Sequence, residues 1–285
     1  MTLKKIEQGR LFLAENPALF RCPFCHSDVK QQAYSLSCEN NHRFDLSKKG
    51  TLFFLKQNHQ SGYDEEMFLP RGRLIRGGMY QPVLTVIRQW LGAQEKVLDI
   101  GCGEGSFLAE LENIAKIPLT VGFDIAKEGV YLATNHNNLA QQHFWCVADL
   151  TNLPFADNSF QRILNIFSPS HYQEFQRVLA DEGELIKVIP GKEYLKELRQ
   201  AFYPEEKAKQ HYSNEKVLEK LAEKMTIVEE QQLTYSFAIP ETLRLDLLEM
   251  SPLEWGVSQE RKAFLREHPL KEITIDVHLL RAKKK

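Results

Sequence analysis

Cysteine is scarce in this chain, with five residues in 285. That number is too small for a disulfide framework and fits a reducing compartment. Long apolar runs are missing too: nothing approaches the roughly 20 residues that a membrane-spanning helix needs. The opening segment MTLKKIEQGRLFLAENP has lysines but no apolar region of export length. A cytoplasmic location is expected. No internal repeat or low-complexity segment occurs, and the net charge of -2 argues against wholesale polyanion binding while leaving local patches open. At 43% hydrophobic and 26% charged residues, the chain can hold one sizeable core plus a small module.

What is present is concentrated in Val97 to Phe107, VLDIGCGEGSF, where an apolar run ending in the acid Asp99 feeds a glycine-rich turn and then a helix from Ser106. Gly101, Gly103 and Gly105 allow dihedrals closed to other residues and let a cofactor lie against bare backbone. A dinucleotide fingerprint would put a pyrophosphate on that helix start. Glu104 inside the turn would repel a pyrophosphate, but it tolerates S-adenosylmethionine, whose amino group and sulfonium are positive. Leu119 to Asp124 reads as a second strand, whose terminal acid is placed to take both ribose hydroxyls. Phe144 to Asp149 reads as a third, with Asp149 placed to meet the adenine amino group. Arg162 to Phe167 and Glu184 to Ile189 follow as further strands. A helix is expected over Ser170 to Ala180, with Gly183 as its stop signal. Together these residues resemble the class I S-adenosylmethionine-dependent methyltransferases over roughly residues 80 to 190. The expected fold is α/β, a Rossmann-like doubly wound sheet of about seven strands.

Upstream, Cys22, Cys25, Cys38 and His42 form a CxxC knuckle, a twelve-residue spacer and a CxxxH pair. Thiolate and imidazole are ligands that tetrahedral zinc prefers, and four protein ligands close the shell, so the expected site is structural Zn²⁺, one per chain. Scattered thiols are the bland alternative, and His26 competes with His42 as the fourth ligand. Ala33 to Ser37 and Arg43 to Leu46 can form the hairpin of such a module. Between Arg10 and Lys56 the basic residues, including Arg43, Lys48 and Lys49, outnumber the acids, with Phe20, Phe24, Tyr34 and Phe44 interleaved. These groups suit phosphate contact and base stacking, or equally a solvated face over a small aromatic core.

The chain divides into a zinc-binding module at residues 1–60, a linker at 61–79 carrying Arg71, Arg73 and Arg76, and a methyltransferase domain at 80–285. Helices are expected over Gln81 to Leu91, Glu193 to Ala208, Asn214 to Met225, Pro240 to Met250 and Ser258 to His268. Two long strands, Thr226 to Ile239 and Glu272 to Leu280, would complete the sheet. Leu253, Trp255 and Phe264 can serve as packing or as stacking groups.

The succession CPFC, CxxxH with RFDLSKKG, GGMYQP, DIGCGEG, LPFADNSF, SP after the fourth strand and PGKEYLKEL after the fifth closely resembles the RlmA family of 23S ribosomal RNA guanine-N(1)-methyltransferases, nearly end to end. The resemblance implies methyl transfer from S-adenosylmethionine to N(1) of one guanine in a domain II hairpin of 23S rRNA, near the peptide exit tunnel. Its zinc ligands fall on Cys22, Cys25, Cys38 and His42. Its cofactor contacts fall on Tyr80, Gly103, Glu104 and Tyr194, the last at a position where related enzymes often have histidine. The lead before Cys22 leans toward the Gram-positive branch that includes macrolide-resistance enzymes. A homodimer is left open.

Guanine N(1) carries a proton that must leave before or during attack. This chain has Asn165-Ile166-Phe167-Ser168-Pro169 where exocyclic-amine methyltransferases place Asp or Asn before Pro-Pro-aromatic. The general base is not identified: Asn165 or Ser168 could orient the guanine, or Asn165 could simply finish its strand. Two other classes compete. A small-molecule methyltransferase acting on quinones or lipids would leave the zinc module idle. A non-catalytic, zinc-dependent RNA-binding protein would not need its full set of cofactor residues.

Overall fold

The computed structural model describes residues 3–57, 62–136 and 142–285. The expected boundary between residues 60 and 61 lies outside them. Helix α1 (Lys5–Glu15) precedes a three-stranded antiparallel sheet of β1 (Val29–Gln32), β2 (Ser35–Cys38) and β3 (Arg43–Asp45). The expected hairpin is β2–β3. β1 is an addition, joined to β2 by a two-residue turn whose Ala33 has φ +52°.

The chain then leaves this small sheet through β4 (Leu52–Phe53), which pairs in parallel with a strand nearly a hundred residues away. Residues read as a linker fold instead into α2 (Glu65–Arg76), because Asp64 caps its start by accepting from Met67 N at 3.1 Å. Met67, Phe68, Leu74 and Ile75 are all buried on it.

After α3 (Gln81–Trp90) come β5 (Lys96–Ile100), α4 (Ser106–Ile114), β6 (Leu119–Asp124), α5 (Lys127–Ala133), β7 (Gln142–Val147), β8 (Phe160–Ile166), α6 (Tyr172–Val178) and β9 (Leu179–Pro190). Gly183 therefore lies inside β9 and does not stop a helix. The chain turns directly from Val178 into the strand, and the register with β8 shifts between Phe160 and Arg162. The helix expected over 193–208 is divided by Pro204, which cannot continue a helix, into α7 (Lys196–Phe202) and α8 (Lys207–Gln210). Then follow α9 (Glu215–Lys224), β10 (Thr226–Ala238), α10 (Asp246–Glu249), α11 (Gln259–Glu267) and β11 (Glu272–Lys283). Only four residues of the helix expected over 240–250 are α-helical, and a short 3-10 turn at Glu241–Leu243 precedes them.

The main sheet has eight strands in the order β10-β11-β9-β8-β5-β6-β7-β4, and β10 and β11 run antiparallel to their neighbours. The eighth strand is β4, whose two residues are too short to leave a periodic signal. β5 and β6 are buried on both faces, as strands between helical layers must be. On one face, α3, α4 and α7 pack with Val97, Trp145 and Val147. On the other, α6, α9 and the N-terminal module share one core with Leu98, Phe144 and Phe155. Phe12 stacks on Phe144 at 4.9 Å, and Phe20 meets Phe155 at 5.7 Å. The zinc module is thus packed onto the sheet. The strand order reverses between β5 and β8, and the crevice at such a switch point is where doubly wound sheets bind ligands.

Candidate active site and zinc centre

The ligand atoms of Cys22, Cys25, Cys38 and His42 all lie within 4.8 Å of one another. Cys25 and Cys38 sulfurs are 3.6 Å apart, and His42 Nδ1 is 3.4 Å from both Cys22 and Cys38 sulfurs. A tetrahedral zinc with ordinary bond lengths requires edges of about 3.5 to 3.8 Å between such ligands, so the donor set fits the metal in both chemistry and spacing. His26 and Asn41, both with φ +62°, turn the chain at the two knuckles. The exposed His26 stays out of the cluster, so His42 is the fourth ligand atom. Around this centre Phe20 and Phe44 are buried, 2% and 4% exposed, which makes them core and removes them from the candidate base-stacking set. Tyr34 is exposed and donates to Glu7 at 2.6 Å.

At the C-terminal end of β5 the chain enters the glycine turn. Gly101, Gly103 and Gly105 have φ of +66°, +55° and +81°, all in the left-handed region. A Cβ on Gly101 would stand 2.7 Å from Cβ of Ser168, and one on Gly103 would stand 3.0 Å from the Phe68 ring. The turn is closed by Asp124, which accepts from Gly103 N at 2.9 Å and from Ala126 N at 2.8 Å. Burial pushes the Asp124 carboxyl up, partly offset by those backbone donors and by the nearby Arg71 guanidinium. Asp99 is 3% exposed, and its Oδ2 has no hydrogen-bond partner among the described residues. Burial first, then Asp124 and Glu104, push it up to about 7. Such a bare turn, with a buried and unsatisfied carboxylate oxygen beneath it, suits a cationic cofactor such as S-adenosylmethionine.

Glu104 accepts from Ser106 Oγ at 2.6 Å and lies 3.8 Å from Arg76 and 3.6 Å from His136. It lines, with Phe68, Arg76 and His136, an open cavity of 280 Å³ beside the turn. Asp149 follows β7, next to the point where Ala148 N donates to Asp124 O at 3.1 Å. One of its oxygens caps its own loop by accepting from Thr151 N and Oγ1, both at 2.8 Å. Tyr80 and Tyr194 meet hydroxyl to hydroxyl at 2.6 Å, and Phe107 and Phe167 complete an aromatic wall with them. Phe107 and Phe167 are additions to the residues that sequence alone points to. Phe107 was legible as the second residue of the helix that follows the glycines.

Asn165, next to last in β8, is fully buried. Its amide donates to Ser168 Oγ at 2.6 Å and to Pro169 O at 2.9 Å. Ser168 Oγ in turn donates to Ile100 O at 2.6 Å, so this loop is tied to the last residue before the glycines. The side chain of Lys187 on β9, 2% exposed, reaches both Asn165 Oδ1 and Ser170 Oγ, the latter at 2.7 Å. Burial pulls its ammonium down to about 8. Lys187 is a further addition, although a lone lysine in the apolar strand ELIKVI is a signal in itself.

Two family models match: "RlmA, N-terminal" over residues 20–61 and "Methyltransferase domain" over residues 98–186. YxjB of Bacillus subtilis, named for 23S rRNA (guanine-N(1)-) methyl transfer, is 35% identical over 275 residues, covering 92% of this chain and 96% of YxjB. The 23S rRNA (guanine(748)-N(1))-methyltransferase of Streptomyces fradiae is 30% identical, covering 62% of this chain and 65% of that one. Both halves of the molecule, the Cys3His ribbon and the glycine turn, are thereby placed on one lineage. The chain belongs to the RlmA-type family of zinc-containing, S-adenosylmethionine-dependent 23S rRNA guanine-N(1)-methyltransferases.

Proposed function

We propose that this protein transfers a methyl group from S-adenosylmethionine to N(1) of one guanine in 23S rRNA, in the domain II hairpin near the peptide exit tunnel, and that it works in the cytoplasm. The carrying observation is the docking of the Cys3His ribbon, through Phe20 against Phe155, onto the sheet whose open end bears the glycine turn. A small-molecule enzyme has no use for that ribbon. In this reading residues 1–60 grip RNA and the domain from residue 80 holds the cofactor.

The cofactor supplies an already activated methyl sulfonium, so alignment contributes most of the acceleration. Gly101, Gly103 and Gly105 offer bare backbone. Asp124 takes the ribose hydroxyls, Asp149 the adenine amino group, and Asp99 and Glu104 balance the positive charge. Tyr80 and Tyr194 wall the side nearest the acceptor. α2 covers the turn through Phe68 and narrows the access of water. The N(1) edge pairs in a duplex, so the guanine must be unpaired or extruded, at about a few kcal/mol. Mass spectrometry of 23S rRNA from a deletion strain tests the reading: one N(1)-methylguanosine disappears and returns with the restored gene. Unchanged rRNA modification would sink it.

A further inference from the structure

Resting on that reading, we propose that Ser170 and Lys187 form the proton relay that removes the N(1) proton of the acceptor guanine, with Ser170 touching the base and Lys187 as the terminal acceptor. The pair sits beside the switch point between β5 and β8, where substrate must approach the cofactor turn: Ser170 follows β8, and Lys187 lies on β9 directly across from Asn165. The loop that carries Ser170 is anchored there: Ser168 packs against Gly101 and donates to Ile100 O. Phe167 bends it with φ +55°, and Asn165 ties its backbone at Pro169 O. Ser170 is half-buried and follows the exposed Pro169, so its hydroxyl lies where the buried network reaches the crevice.

The hydrogen-bond pattern has a direction. Asn165 Oδ1 receives both Lys187 Nζ and Ser170 Oγ, the latter at 3.0 Å. The Asn165 amide hydrogens are spent on the loop, so the carbonyl side of that amide faces the pair. In the resting network Lys187 donates to Ser170 and the Ser170 hydroxyl donates to Asn165; with Lys187 neutral, that hydroxyl hydrogen turns from Asn165 Oδ1 to the amine lone pair while the amine still donates to Asn165. That leaves a Ser170 lone pair free for the incoming N(1)–H.

Among the described residues the polar groups facing Lys187 are Asn165 on β8 and Ser170, which also hydrogen-bonds Tyr172 of α6. β11 sets Leu280 opposite, and α9 contributes Leu221 to the same face. No charge among the described residues adds to the burial that lowers the Lys187 ammonium toward 8.

In the step, the N(1) proton passes to Ser170 Oγ while the Ser170 hydroxyl proton passes to Lys187 Nζ. The N(1) electron pair forms the new N–C bond. The C–S bond of the sulfonium breaks and its pair stays on sulfur. Net charge is conserved, because one cation is lost at sulfur and one gained at Lys187. The ammonium afterwards returns its proton to water.

The test compares wild type, Lys187→Met, Lys187→Arg and Ser170→Ala in single-turnover methylation of 23S rRNA, alongside calorimetric cofactor affinity, RNA affinity and melting. Nitrogen NMR of labelled lysines in the ligand-free protein titrates Lys187 directly, assigned by its absence in Lys187→Met. Expected are losses of about 100-fold or more in transfer rate for all three variants, cofactor and RNA affinities within threefold of wild type, a wild-type rate rising from pH 7 to 9, and a Lys187 titration near 8. Arginine keeps the donors but cannot release a proton, so recovery of rate by Lys187→Arg would show a merely structural tie and overturn the relay. Wild-type rate in Ser170→Ala, or a Lys187 titration at the ordinary lysine value, would overturn it as well. If Lys187→Met melts early, the milder Ser170→Ala decides. A wild type that transfers no methyl to N(1) overturns the proposed function and the relay with it; an active wild type matched by its variants overturns only the relay.

Discussion

The hydroxyl oxygens of Tyr80 and Tyr194 lie 2.6 Å apart although 114 positions separate them in the chain. Tyr80 is buried and Tyr194 partly so, and desolvation pushes both phenols up, so the pair is neutral and shares a single hydrogen bond. Removing either hydroxyl leaves the other without that partner. Tyr80→Phe and Tyr194→Phe are each expected to cost about 1 to 2 kcal/mol of stability, and the double variant less than the sum. Urea denaturation of the four proteins measures this; strict additivity would mean that the bond contributes nothing.

Cys38→Ser should remove zinc and lower the melting point of the whole chain. The reason is that Phe12 and Phe20 share their core with Phe144 of the main sheet and Phe155 of the loop between β7 and β8. Metal analysis with scanning calorimetry checks it. A zinc-free protein whose main transition is unmoved would show that the ribbon folds as a separate unit.

Asp99 carries a pH prediction with a definite sign. Its folded pKa of about 7 stands above the reference of 3.8, so between those values the folded state binds the extra proton. Stability from this group therefore falls as pH rises from about 4 to about 7 and is level above that. Asp99→Asn should flatten that part of the profile. A stability curve with the same slope in both proteins would place the titration elsewhere.

Asp124→Ala should weaken S-adenosylmethionine binding by about 1 to 3 kcal/mol, the scale for hydrogen bonds to a charged group. The variant also frees Gly103 N and Ala126 N, so the turn itself loosens. Calorimetry with unchanged affinity would mean that the ribose is held elsewhere.

Arg43 and Lys48 stand exposed on the ribbon, Arg43 paired with the exposed Asp45 at 2.8 Å. Reversing both charges should reduce rRNA affinity and lower the salt dependence by about one released counterion per lost phosphate contact, with cofactor affinity kept. Filter binding across a salt series reads the slope. An unchanged slope would make the ribbon purely structural.

Local spacing alone determined the glycine turn, the acids at the ends of β5 and β6 and the Cys3His set. Each depends on short-range rules: a strand buried on both faces reads as an apolar run, and a zinc knuckle needs ligands a few residues apart. His26 ranks behind His42 in sequence because it crowds the first knuckle, and the structure keeps that order: His26 takes a left-handed turn and stays out of the cluster. Long-range register and packing decided the rest. Leu52 and Phe53 became the eighth strand because β7 offered a free edge. The arginine-bearing segment expected as linker became α2, since Phe68 and Leu74 had a surface to cover. Lys187 acquires its partner only where β8 sets Asn165 beside it. Such pairings join residues far apart in the chain, and no periodicity within either segment encodes its partner: the tertiary structure decides them because only the packed sheet brings both ends to one place.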